Sequence, residues 1–203
     1  MDLFFSPLAC SMASRIVIYE AGGEVNFQRV DTKAGRTADG ADYAKINPKG
    51  LVPALRTDDG EVLTENAAIL QYLGDRFPQA GLAPGGFDRS LLQQWLNFIG
   101  TELHTGVFHL LLSPRAGPDA KAFAREEAAT RLSYLDKHLE GRDWLLDRFT
   151  VADAYLAVVL NWAQFVNLDL SPYANVAAFV ARAKARPSIA RAMGEEMALF
   201  QAA

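Results

Sequence analysis

The chain has 203 residues, 50% hydrophobic and 22% charged, with a formal net charge of −4, which suits one large folded domain or two small ones. The acidic balance argues against a nucleic acid as main partner, because phosphate binding needs a concentrated basic surface. No run of 18 uncharged apolar residues is present, so no membrane span is expected, and the start lacks the basic-then-apolar plan of a secretory signal. The single cysteine, Cys10, fits a reducing compartment, and the cytoplasm is expected.

In chain order, Leu3-Phe4-Phe5 reads as a first strand closed by Ser6-Pro7. Met12, Ile16 and Val17 recur at helical intervals over 11–21, and Gly22-Gly23 ends that helix. Residues 26–30 read as a second strand. Residues 31–50 read as a polar loop with one short helix near Tyr43. Residues 52–57 and 61–63, joined by Asp58-Asp59-Gly60, form a hairpin. A helix opening on Thr64-Glu65-Asn66 follows. The first two strands, joined through a helix, make a parallel pair, and the hairpin adds an antiparallel one.

Residues 78–86, with two prolines and three glycines, read as a linker between a first domain of 1–77 and an all-helical domain of 87–203. Leu91, Leu92, Trp95, Leu96, Ile99 and Leu103 form one apolar stripe. Residues 121–139 form another, and 151–166 are apolar nearly all round, as in the middle of a bundle. Thr150 and Asp153 make a capping-box start for that buried helix. The basic cluster Arg182, Lys184, Arg186 and Arg191 spreads around a helix axis and reads as solvated surface.

Three places could carry chemistry. Cys10 lies at the mouth of the first helix, where free N–H groups and the helix dipole favour a thiolate, its own or a ligand's. The competing reading is a small buried hydrophobe. Val52-Pro53 is an ordinary strand start or, with a cis bond, a backbone edge that pairs with a peptide-like ligand. Asn66 is a helix cap or, with the free N–H groups beside it, a carboxylate receptor. No metal site is expected: Cys10 has no cysteine partner, and His104 and His109 are five apart, missing the helical i, i+4 pairing. His109 and His138 read as surface residues.

Four motifs stand in order: Ser6-Pro7-Leu8-Ala9-Cys10-Ser11, Ile46 through Leu55 around Pro48-Lys49-Gly50 and Val52-Pro53, Leu63-Thr64-Glu65-Asn66-Ala67-Ala68-Ile69, and Phe149-Thr150-Val151-Ala152-Asp153-Ala154-Tyr155. Together they resemble the signatures of cytosolic glutathione S-transferases of the bacterial beta class, over essentially the whole chain. The resemblance implies a thioredoxin-like first domain with a mixed four-stranded sheet and a helical-bundle second domain that supplies the electrophile pocket. It also implies a homodimer with glutathione as co-substrate. Val52 and a cis Pro53 would hold the cysteinyl backbone of glutathione, and Glu65 and Asn66 its γ-glutamyl end. Cys10 would lie near the glutathione sulfur and, as in this class, could form a mixed disulfide with it. Asn97 and His104 would border the same pocket, and seven-residue spacing on an α-helix would suit that. Glu102, about 200° round the helix from His104, would reach the partner subunit's glutathione.

Three departures stand out: Asn66 where many relatives have serine, Thr105 where beta-class relatives commonly have lysine, and Phe5 in place of a tyrosine. Lys33 or Arg36 is expected to meet the glycyl carboxylate. In the transferase reading, N–H groups at Cys10 and Ser11 and the Ser11 hydroxyl stabilise the glutathione thiolate. A small hydrophobic electrophile then sits between the domains against Phe108, Leu111 and Trp162. Two rival readings are a glutathione-dependent thiol–disulfide oxidoreductase or peroxidase with Cys10 as nucleophile, and a non-catalytic ligand-binding module of the same fold.

Overall fold

The computed structural model describes residues 1–202. They form two units: Met1–Ala83 joined by a C-terminal helix starting at Pro187, and Pro84–Arg186.

In the first unit, β1 (Asp2–Phe5) leads through α1 (Met12–Glu20) to β2 (Asn26–Asp31), its parallel partner, with Leu3 opposite Phe27. A tight turn cannot make a parallel return, so a helix crosses over. Helix α1 ends where Gly22 takes a φ of 64°, which costs glycine nothing. Strands β4 (Ala54–Arg56) and β5 (Val62–Thr64) form the expected hairpin, β4 antiparallel to β1 with Leu55 opposite Leu3. Helix α2 (Asn66–Arg76) follows.

The sheet has five strands, not four, in the order β3-β2-β1-β4-β5. The additional β3 (Arg36–Thr37) pairs with β2 inside the segment read as loop. Two residues are too few for any hydrophobic period to show. The reversal is made by the Asp31 carboxylate, which accepts from the Lys33 and Ala34 N–H groups at 2.9 and 3.0 Å, an Asx turn.

Phe5 turns toward α1, where the Arg15 guanidinium lies 4.3 Å from its ring centre. Phe4 turns the other way, onto Val30, Tyr43 and Ala54, with Ile46 and Val52 packed against them. Burial of both faces explains a continuous apolar triplet instead of alternation. The expected helical domain of 87–203 is corrected at its end: α8 (Pro187–Gln201) packs on α1 and belongs to the first unit. Its buried Glu196 pairs with Arg15 of α1 at 2.8 Å, a partnership between residues 181 apart.

The second unit begins with α3 (Gly86–Asn97), which runs on as a π-helix over Phe98–His109 and ends in a single turn, α4 (Leu110–Leu112). The wider winding is marked by the Thr105 hydroxyl, which donates to the carbonyl of Gly100, five residues back, at 2.8 Å. A Cβ added at Gly106 would lie 3.2 Å from the Thr101 carbonyl oxygen, so glycine suits that close approach. Helices α5 (Pro118–His138), α6 (Val151–Asn161) and α7 (Ala174–Lys184) complete the unit.

Helix α6 is buried on every side except Ala157. Its capping box is formed: Asp153 accepts from Thr150 N–H at 2.8 Å, Thr150 Oγ1 at 2.9 Å and Leu145 N–H at 2.8 Å. His138 corrects the surface reading. Its ring centre lies 4.3 Å from that of Trp95, and its Nε2 is 2.9 Å from the Leu145 carbonyl oxygen. The basic cluster is also more than solvated surface. Arg182 donates to the Asp143 carbonyl at 2.9 Å, and the Arg186 guanidinium lies 4.1 Å from the Phe149 ring centre.

Candidate functional site

Cys10 stands between the end of β1 and α1, in a loop closed on itself. Ala9 N–H reaches the Ser6 carbonyl at 3.1 Å, and Met12 N–H the Ala9 carbonyl at 3.0 Å. Ser11 is fully buried. Its hydroxyl donates to the Ser6 carbonyl at 3.3 Å and accepts from Ser6 N–H at the same distance. In the free protein the Ser11 hydroxyl therefore braces the loop through Ser6.

Cys10 itself is half-buried, and its Sγ donates to the Val52 carbonyl at 3.3 Å. Two effects compete at this sulfur. Burial pushes the thiol up to about 12, whereas the N–H groups of Cys10 and Ser11 pull it down. Burial wins, opposite to the low pKa expected from the helix start. In the free protein Cys10 is a neutral thiol and a hydrogen-bond donor.

The Val52–Pro53 peptide bond is cis. Just ahead of it, the Leu51 carbonyl accepts from the Tyr43 hydroxyl at 2.8 Å and from Asn47 Nδ2 at 2.7 Å. This fixes the chain entering Val52. The Val52 N–H has no hydrogen-bond partner among the described residues, so it remains available to an added strand.

At the opening of α2, Glu65 is the cap residue, with a φ of 71° and no capping bond from its side chain. A non-glycine residue held at positive φ costs on the order of 1–3 kcal/mol and persists where its surroundings dictate it. Asn66 is the first helical residue, not the cap. Its side chain is buried, and neither its Oδ1 nor its Nδ2 has a partner among the described residues. The N–H groups of Asn66 and Ala67 are likewise unengaged, as the first donors of any helix are. The first turn of α2 thus carries a buried amide and two unengaged N–H groups, next in sequence to the exposed Glu65 carboxylate.

A cation missing from the sequence reading completes this corner. Lys49 Nζ pairs with the Glu65 carboxylate and donates to Thr64 Oγ1 at 3.0 Å. Lys33 and Arg36 stand elsewhere, Lys33 on the β2–β3 turn and Arg36 on β3, at the opposite edge of the sheet from β5. Arg36 donates to the Gly40 carbonyl at 3.1 Å. The only sequence signal for Lys49 was its place in the Pro48-Lys49-Gly50 turn, since its partner lies 16 residues further on.

In the second unit the π-helix separates residues that α-helical spacing groups together. Bonding from i to i+5 brings residues five apart onto one face, so Asn97 and Glu102 line a common groove with Phe98, Arg131 and Tyr134. Glu102 pairs there with Arg131 at 3.2 Å. His104 lines a different pocket of about 270 Å³ with His109, Leu112, Ser113, Pro114 and Trp162. Asn97 and His104, expected to share a pocket, thus line two different ones.

The His104 Nδ1 lies 2.6 Å from the Tyr155 hydroxyl, and its ring centre 4.8 Å from that of Trp162. Burial, with a smaller contribution from His109, lowers its pKa to about 4, so it is neutral near pH 7. Phe108 and Leu111, expected to face the electrophile, are core residues. Leu112 is 43% exposed and forms the apolar wall with Trp162.

The glutathione S-transferase N-terminal domain family matches residues 3–75, and the C-terminal domain family matches residues 101–187. Glutathione S-transferase GstA of Escherichia coli O157:H7 is 42% identical over 199 residues, covering 97% of this chain and 98% of that protein. A sphingomonad glutathione S-transferase solved in complex with glutathione superposes with a TM-score of 0.93 at 42% identity, covering 97% of this chain and 99% of that one. A bacterial beta-class enzyme from Sphingomonas chungbukensis gives a TM-score of 0.92 at 40% identity, covering 97% and 98%.

Proposed function

Because this chain belongs to the glutathione S-transferase family, we propose that it transfers the glutathione thiolate to small hydrophobic electrophiles. The observation that carries this reading is Asn66, a buried amide without a partner among the described residues, in the first turn of α2. A buried polar group left unpaired costs about 1–3 kcal/mol. It is accounted for when a ligand carboxylate takes up the Asn66 Nδ2 and the N–H groups beside it, as the γ-glutamyl end of glutathione does in this reading. The Glu65 carboxylate, with Lys49 at its side, receives the ammonium of the same zwitterionic group.

Glutathione then lies along Val52 as an added strand. Its cysteinyl N–H takes the Val52 carbonyl that the Cys10 thiol occupies in the free protein. The displaced Cys10 S–H turns to the glutathione sulfur, and with the N–H groups of Cys10 and Ser11 it favours the thiolate there. Lowering a bound thiol by two pKa units is worth about 2.7 kcal/mol, within reach of two or three such donors. Cys10 acts as a donor. The thiol–disulfide reading needs instead a Cys10 thiolate as nucleophile, which burial of the thiol in the free protein opposes.

The helical unit receives the electrophile in the pocket of His104, Leu112 and Trp162. The enzyme works as a cytoplasmic homodimer, with Glu102 directed to the partner subunit's glutathione. Calorimetry with glutathione and turnover of a reactive aryl halide test the proposal. Micromolar to low-millimolar binding with glutathione-dependent turnover is expected, and no binding at millimolar concentration refutes it.

A further inference from the structure

The loop that presents Cys10 is fastened from the other end of the chain. Leu8, two residues before Cys10, sits at a φ of 60°, a left-handed conformation that a branched side chain holds only when its surroundings impose it. Its N–H donates to Glu196 Oε2 of α8 at 2.8 Å. The other oxygen, Oε1, accepts from Arg15 Nε of α1 at 2.8 Å. Glu196 is fully buried and Arg15 nearly so.

The guanidinium is fixed in turn. It lies over the Phe5 and Phe27 rings at 4.3 and 3.9 Å, and its Nη1 reaches the Tyr19 hydroxyl at 3.0 Å and Glu195 at 3.2 Å. One carboxylate thus joins the backbone just before Cys10 to the helix just after it. Burial raises the Glu196 carboxyl to about 7 against the pull of Arg15 and the Leu8 N–H, so a charge here is costly. Packing of α8 on α1 alone would be served better by an apolar side chain.

We propose that Glu196 is a positioning residue for Cys10: by bridging the Leu8 N–H and Arg15 it fixes the left-handed turn that aims the Cys10 thiol and N–H groups. The proposal rests on the reading of Cys10 as a donor to the glutathione sulfur. Glu65 and Asn66 hold the tripeptide from another element, so Glu196 acts on turnover and not on capture.

The test compares wild type with Glu196→Gln and Glu196→Asp in the full chain. Glutamine keeps the volume but sets an NH2 against either the Leu8 N–H or Arg15 Nε, losing one of the two bonds. In folded Glu196→Gln, kcat with an aryl halide is expected to fall about tenfold with the KM for glutathione within twofold. Alkylation of Cys10 by iodoacetamide at fixed pH is expected to change at least fivefold. Glu196→Asp, which keeps the charge but is one methylene too short to hold both bonds, recovers only part of kcat. A folded Glu196→Gln with wild-type kcat and wild-type alkylation overturns the proposal.

Should Glu196→Gln fail to fold, amide exchange in the wild type decides. A Leu8 N–H as protected as those of α1 supports the clamp, and exchange at the rate of exposed loop amides overturns it. The alkylation comparison needs no glutathione. A wild type that binds no glutathione therefore refutes the transferase reading, while alkylation still decides the role of Glu196.

Discussion

Replacing Asn66 by leucine separates what the free protein needs from what the ligand needs. The side chain is buried with both amide ends unpaired, a cost of about 1–3 kcal/mol to the free protein. Leucine has nearly the same shape and no polar atoms, so the substitution removes that cost, less up to about 1 kcal/mol for imperfect repacking. The net gain lies between about 0 and 3 kcal/mol, which for a chain of this size raises Tm by up to roughly 12 °C. Glutathione affinity moves the other way. A hydrogen bond to a charged group is worth about 1.5–3 kcal/mol, so Kd should rise on the order of tenfold to a hundredfold. Scanning calorimetry of the free protein and titration calorimetry with glutathione measure the two effects. A folded Asn66→Leu with a lowered Tm, or with a Kd within twofold of wild type, would refute the reasoning.

Cys10→Ala removes one donor from the bound sulfur. The glutathione thiol in the complex should titrate about one unit higher, worth 1.4 kcal/mol, and kcat/KM near pH 7 should fall roughly tenfold without abolition; ultraviolet absorbance of the bound thiolate and steady-state rates check both. His104 has a folded pKa of about 4 against the usual 6.5. The unfolded chain therefore binds the extra proton first: the His104 contribution is complete above about pH 6.5 and is lost as pH falls through 4. His104→Phe should remove at most about 3 kcal/mol of that acid-side loss, seen as a flatter Tm profile between those pH values. Asp153→Ala leaves the Leu145 and Thr150 donors buried without their acceptor, at a cost of about 3 kcal/mol. Tm should drop by roughly 6–12 °C with the KM for glutathione little changed.

Local patterns were legible in the sequence because their physics is local. The Thr150–Asp153 box spans one helical turn, and the β4–β5 hairpin is announced by Asp58-Asp59-Gly60 between two extended runs. The order of four motifs placed Cys10, Val52, Glu65 and Asn66 in one unit. What stayed hidden depends on distant or subtle partners. Ile99, Leu103 and Val107 are buried at a spacing that reads as α-helix, so the π-helix of Phe98–His109 and its regrouping of Asn97 with Glu102 left no trace in the pattern. The α8 pairing joins residues 181 apart, beyond any periodicity. The Cys10 pKa turned on how far burial outweighs two N–H groups, a contest that sequence position cannot weigh.

Glutathione titrated into isotope-labelled protein tests the placement of the tripeptide most directly, through the Val52 amide and the Asn66 side-chain NH2 resonances. The account predicts that both shift together along a single binding curve, the Asn66 NH2 moving downfield as it meets a carboxylate. Saturable binding that leaves both resonances in place would contradict it.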